Sequence, residues 1–235
     1  MKIQNKKISA RPSSARWVQR QLADPYVARA QREKWRSRAV FKLEEIDGKF
    51  HILKSGQTVA DLGAAPGSWS EYVRRKFPKS RVIAIDVLPI KPIDGVEFYQ
   101  GDIADSKTAE WLADKLANNS AVQCEKNPGC GNTIPVPTGV DVVLSDMAPN
   151  TTGHRETDRL RQAALLECAF EFAKNHLKQG GAFVGKSFAG GDSGGLFLEL
   201  RKWFAVVRHA KPAASRKESV EEFIVATGFA PRGLG

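Results

Sequence analysis

The chain has 235 residues, 42% of them hydrophobic, and a formal net charge of +10. That length suits one α/β domain with appendages; no apolar run approaches the ~18 residues needed to cross a bilayer, and no signal-type segment lies near the start. The three cysteines, Cys124, Cys130 and Cys168, are too few and odd in number for a disulfide framework, so the expectation is a soluble, reduced, cytoplasmic chain with no membrane contact.

The positive charge is concentrated at the start. Residues 1–38 hold 11 lysines and arginines against only Asp24 and Glu33, so this basic N-terminal arm supplies nearly all of the net charge. A self-repelling segment is expected to order on a polyanion such as nucleic acid. Trp17, Tyr26 and Trp35 are interleaved with the charges and would either stack on bases or anchor the arm to the domain. A targeting peptide and a solvated tail are the other readings of such an arm.

The remainder, 39–235, reads as one domain. In "RAVFKLEEIDGKF", Val40, Leu43 and Ile46 recur at helical spacing and the pattern ends near Gly48. Strand-like runs follow at 57–62, 81–87, 96–99, 140–145, 181–188, 204–208 and 221–227, separated by helical patterns at 69–77, 106–118, 156–178 and 195–203. Short β-branched strands alternating with amphipathic helices predict a mostly parallel sheet covered on both faces. Only a loop separates the last two strands, which predicts that the last one runs antiparallel. Residues 119–139, rich in Gly, Pro and Asn, read as a loop insertion. Cys124 and Cys130 flank "EKNPG" there without a second Cys pair or a nearby His, so no metal site is expected.

In open α/β sheets, ligands bind beyond the C-terminal strand ends. Four aspartates fall there: Asp61 before the bare loop "GAAPG" (63–67), Asp86, Asp102 in "QGD", and Asp146 in "SDMAPN". Asp86 follows Gly63 by 23 residues, an offset that suits a carboxylate on a ribose diol. The loop is not G-x-G-x-x-G, and no G-x-x-x-x-G-K-[ST] occurs, which disfavours dinucleotide and P-loop readings. A bare loop without a phosphate cradle suits S-adenosylmethionine, which carries ribose and adenine but no phosphate. Further along, Lys42 sits among Val40, Leu43 and Ile46, and Lys186 interrupts "AFVGKSF", where a lysine is costly unless paired or working. Glu221 opens the last strand on the same face as Phe223 and Val225, with Glu222 on the other.

"RSRAVFKL", "DLGAAPGSWS", "SDMAPN", "GKSF" and "SRKESVEEFIVATGF" together resemble the RrmJ/FtsJ family of S-adenosylmethionine-dependent ribose 2′-O-methyltransferases, over roughly residues 17–229. The resemblance implies a seven-stranded Rossmann-like methyltransferase sheet and a catalytic tetrad of Lys42, Asp146, Lys186 and Glu221. It also implies cofactor contacts from Gly67, Trp69, Asp86, Asp102 and Asp146, and no metal. Its implied substrate is a uridine ribose in large-subunit (23S) ribosomal RNA, presented on the assembled large ribosomal subunit, with no obligate protein partner.

Ser68 stands where bacterial members carry a second glycine, and Glu218 and Glu222 compete with Glu221 for the last tetrad position. In the mechanism expected here, Lys186 is the base and must be neutral at the moment of reaction. Burial and Lys42 would lower its pKa while Asp146 raises it. Arg36 and Arg38, next to the Lys42 helix, are expected RNA contacts. Alternatives are a 2′-O-methyltransferase acting on transfer RNA or organellar ribosomal RNA, a non-catalytic ribosome-assembly factor, and a nucleotide-dependent oxidoreductase.

Overall fold

The computed structural model describes residues 23–117, 139–189, 193–216 and 219–230. Most of the basic arm, including Trp17, and the insertion with Cys124 and Cys130 lie outside the described residues. The first helix among the described residues, α1 (Pro25–Arg32), begins as its sequence dictates: the Asp24 side chain accepts from Tyr26 N–H at 3.0 Å, and Pro25 occupies the first turn. In α2 (Val40–Phe50), Val40, Phe41, Leu43, Ile46 and Asp47 are buried, a stripe at helical spacing.

The remaining elements follow as β1 (Thr58–Leu62), α3 (Ser68–Lys76), β2 (Arg81–Asp86), β3 (Val96–Gln100) and α4 (Ser106–Ala117), then β4 (Val140–Ser145), α5 (Arg155–His176), β5 (Leu177–Phe188), α6 (Ser193–Trp203), β6 (Phe204–Ala210) and β7 (Glu221–Phe229). The seven strands form one sheet in the order β3-β2-β1-β4-β5-β7-β6, with β7 antiparallel to both neighbours and the other pairings parallel. Alternation along each strand feeds two cores. Val59, Val82, Val142, Val184 and Phe223 face α1 to α3, whereas Ala60, Ile83, Val143, Phe183 and Ile224 face α4 to α6.

The predicted elements hold, with the start of β5 displaced furthest. β5 starts at Leu177, where the helical pattern of α5 was expected to continue to 178. The polar run Lys178-Gln179-Gly180-Gly181 hides the strand start. The ladder shifts there between Val140, which pairs with Leu177, and Val142, which pairs with Ala182, while Lys178 reaches Asp141 at 3.2 Å.

Residues 23–38, read as part of the arm, pack on the domain. Ala30 is buried, the Tyr26 and Phe41 rings are 5.7 Å apart, and the Trp35 ring lies between Tyr72 at 6.3 Å and the Arg75 guanidinium at 4.2 Å. Of the two roles open to Tyr26 and Trp35, anchoring is the one the structure displays. Arg36 is also engaged: its guanidinium donates to the carbonyls of Pro66, Lys91 and Pro92 at 3.3, 2.8 and 2.8 Å, tying the loop after β1 to the loop after β2.

Candidate active site

Strand order reverses between β1 and β4, so their C-terminal ends open a crevice at the switch point. The backbone turns sharply at Gly63 (φ +72), where a Cβ would lie 2.5 Å from Met147 Cγ and 3.0 Å from its Cα. A glycine therefore lets the two strand ends approach each other. Gly67 (φ +100) starts α3 against Ile93 and Arg36.

Asp86 ends β2. Its carboxylate accepts from Ala65 N–H and Leu88 N–H, both at 2.8 Å, so it braces the bare loop while keeping lone pairs for a ligand. Asp102 accepts from Ala104 N–H at 3.0 Å beyond the end of β3. Trp69 is buried and donates through its indole to the Ala39 carbonyl at 2.8 Å, with its ring 5.7 Å from that of Phe223. In this arrangement it fixes the start of α2, and with it Lys42, against β7.

Asp61, at the end of β1, is not among the expected cofactor contacts. It is 1% exposed; Oδ2 accepts from the Ser70 hydroxyl at 2.6 Å, and Oδ1 is buried with no hydrogen-bond partner. Burial pushes its carboxyl up to about 7, against the Ser70 hydrogen bonds and with help from the charges of Asp146 and Asp86. An orphaned buried carboxylate oxygen beside a bare loop fits a ligand that brings positive charge and donors. S-adenosylmethionine, with a sulfonium and an ammonium group, is of that kind.

Beside this crevice, Lys42 from α2, Asp146 after β4, Lys186 on β5 and Glu221 on β7 converge into a closed ring of alternating charge. The Lys186 ammonium lies 2.7 Å from Asp146 Oδ1 and 3.5 Å from Glu221 Oε2. The Lys42 ammonium lies 2.8 Å from Glu221 Oε1 and 3.7 Å from Asp146 Oδ1. Lys186 also donates to the Asp146 main-chain carbonyl at 2.8 Å, and the Ser215 hydroxyl donates to Glu221 at 2.9 Å. All four side chains are at most 18% exposed, so their mutual attraction is weakly screened.

The competition for the last tetrad position has a geometric outcome among the described residues. Glu221 joins the ring, Glu222 points to the other face, where His209 is its neighbour at 3.4 Å, and Glu218 lies outside the described residues.

The fold decides the balance that the sequence left open on Lys186. Burial pushes Lys186 down, as foreseen, but Asp146 and Glu221 together push it up more strongly, so its pKa is raised and the resting side chain is an ammonium. The sequence pattern weighed Lys42 and burial against a single carboxylate; the second one, Glu221, tips the balance. Burial likewise pushes Glu221 up, yet the ammonium groups of Lys42 and Lys186 leave it below the usual carboxylate range.

Sequence reasoning missed Gln162 on α5. It is 2% exposed, and its amide donates to the carbonyls of Lys186 at 2.9 Å and Met147 at 3.2 Å, pinning the ends of β5 and β4 together directly behind the ring. Its signal was a polar residue in register with the buried Leu166, Ala169 and Ala173 stripe. Among the described residues, no cluster of His, Cys, Asp and Glu could hold a metal ion, and no helix is long and apolar enough to cross a membrane.

Comparison with known proteins gives the same direction. Residues 35–229 match the model of the FtsJ-like methyltransferases. A protein of Novosphingobium aromaticivorans named ribosomal RNA large subunit methyltransferase E is 47% identical over 220 residues, covering 94% of this chain and 90% of its own. Its namesake in Azorhizobium caulinodans is 45% identical over 234 residues, covering 97% and 89%. Among solved structures, one described as a ribosomal RNA methyltransferase of Plasmodium falciparum superposes with a TM-score of 0.70 at 27% identity, covering 84% of this chain and all of the other. With the family model matched across the whole sheet and the ring, this chain belongs to the FtsJ-like methyltransferase family.

Proposed function

We propose that this protein transfers the methyl group of S-adenosylmethionine to the 2′-hydroxyl of a uridine ribose in 23S ribosomal RNA, within the large ribosomal subunit. The observation that carries this reading is the ring of Lys42, Asp146, Lys186 and Glu221 beside a crevice of acidic strand ends. The large-subunit target rests on the names of the relatives.

In this reading Gly63, Gly67, Trp69, Asp61, Asp86, Asp102 and Asp146, at and beyond the strand ends, would hold S-adenosylmethionine. Bound there, the cofactor supplies an activated methyl group, and the protein's work is alignment and removal of one proton. Lys42 and Glu221 hold the ribose hydroxyl. Lys186 accepts its proton, which requires the resting ammonium to release one first; Asp146 orients it through both its carboxylate and its carbonyl. Gln162 keeps the two strand ends in register and touches neither reactant.

A non-catalytic assembly factor has no use for two buried lysines held by two carboxylates, and an oxidoreductase would need the dinucleotide fingerprint that the loop at 63–67 lacks. The test is methyl transfer from labelled S-adenosylmethionine to unmodified large subunits, free ribosomal RNA and transfer RNA. Label on the subunit supports the reading. Label on transfer RNA alone moves the substrate, and no label on any RNA contradicts the enzymatic reading.

A further inference from the structure

An open cleft of about 240 Å³ adjoins the ring, lined by Ser37, Arg38, Lys42, Arg216, Ser219 and Glu221. Lys42 and Glu221 belong to both, so a group seated in the cleft lies next to whatever occupies the ring. Arg38 and Arg216 are not in the ring. They converge on one carboxylate: Arg38 Nη1 is 2.6 Å and Arg216 Nε 3.6 Å from Asp24 Oδ2.

Arg38 is fixed further by a hydrogen bond to the Ala214 carbonyl, and its Nε is buried with no hydrogen-bond partner. Arg216 is the more open of the two, with 36% of its side chain exposed. Around ring and cleft, four cations (Lys42, Lys186, Arg38 and Arg216) face three carboxylates (Asp146, Glu221 and Asp24), leaving one positive charge in excess.

A single excess charge carried on two convergent guanidinium groups matches one phosphodiester, since their forked donors suit tetrahedral phosphate oxygens better than a compact ammonium does. We propose that this cleft is a backbone-phosphate subsite: Arg216, backed by Arg38, takes the RNA phosphate adjoining the ribose whose 2′-hydroxyl enters the ring. This inference rests on the proposed RNA 2′-O-methylation and adds to it the contact that sets the ribose's register. Asp24 has a double part. As the N-cap of α1 it anchors that helix, and as the shared partner of both arginines its carboxylate competes with the RNA phosphate for them. A phosphate contact carries no base information, so the subsite positions any nucleotide and selects none.

The test is equilibrium binding of a fluorescent oligoribonucleotide across a salt series, for wild type, Arg216→Gln and Asp24→Asn, with melting curves to verify folding. Arg216→Gln is expected to weaken binding about tenfold at low salt and to reduce the slope of log Kd against log salt by about 1. On large subunits, its loss should appear as a raised KM. Asp24→Asn keeps a side-chain oxygen for the cap but removes the competing charge, so it should tighten binding and steepen the slope. Wild-type affinity and slope in Arg216→Gln, or weaker binding in a folded Asp24→Asn, overturns the subsite. Methyl transfer is scored separately: a wild type that methylates no ribosomal RNA contradicts the proposed function, whereas the salt slopes report on the cleft alone.

Discussion

Asp61→Asn should change how stability depends on pH, by an amount that follows from the burial of one carboxyl. In the folded protein this group titrates near 7, raised by desolvation from an ordinary value of 3.8. Between those two values the folded state holds a proton that the unfolded chain has already released. Stability therefore falls as pH rises from about 4 to about 7 and is level beyond. A difference of about 3 pH units at 1.36 kcal/mol each makes the loss about 4 kcal/mol.

Asparagine has the same shape, still accepts from Ser70 and carries no charge, so the wild-type loss should vanish in the variant. Urea unfolding of both proteins at several pH values isolates the effect, because titrating groups that do not interact with Asp61 cancel in the difference. The variant should gain on wild type through that window and keep a constant advantage above it. S-adenosylmethionine, by supplying positive charge at the orphaned oxygen, should stabilise wild type more than the variant above pH 7. A difference between the two proteins that does not vary with pH would refute the assignment of a buried, unpaired carboxylate.

Lys186→Ala should abolish methyl transfer while cofactor affinity, read by calorimetry, is retained. Because Asp146 and Glu221 hold Lys186 as an ammonium, wild-type turnover under chemistry-limited conditions should climb with pH, approaching about tenfold per unit across the neutral range; a flat profile would remove Lys186 as the base. Gln162→Leu strips two carbonyls of their donor, which should cost about 1–3 kcal/mol in unfolding experiments and lower kcat more than it raises the KM for RNA. Glu221→Gln should reduce turnover at least about tenfold, whereas Glu222→Gln, facing His209 outside the ring, should stay near wild type in the same assay.

Periodicity located the architecture because strands such as β2 and β4 are continuous β-branched runs, buried on both faces, and the helices between them show clear stripes. The start of β5 escaped because its first residues are polar and glycine-rich and pair across a ladder irregularity. Lys42 and Lys186 were legible as charges set in apolar surroundings, whereas alternation only placed Glu221 on a face and the family resemblance singled it out.

What decides the protonation state of Lys186 was not legible. It depends on two carboxylates brought in from β4 and β7, whose distances only the folded sheet fixes. The roles of Arg36 and Arg38 were blurred for the same reason. Sequence proximity to the Lys42 helix placed both at the mouth of the site; in the fold Arg36 bridges loop carbonyls, whereas Arg38, held by Asp24 and Ala214, lines the cleft beside the ring.

The central claim is ribose 2′-O-methylation by the ring, and the most direct measurement is the position of the transferred methyl. Unmodified large subunits would be labelled with S-adenosylmethionine by wild type and by Lys186→Ala, and the ribosomal RNA digested in alkali. Cleavage needs a free 2′-hydroxyl, so a ribose-methylated site survives as a labelled dinucleotide. The account predicts one such alkali-stable dinucleotide with uridine on its 5′ side from wild type and none from the variant. Label released in mononucleotides, which marks a base methyl, or an undiminished dinucleotide from Lys186→Ala, would contradict it.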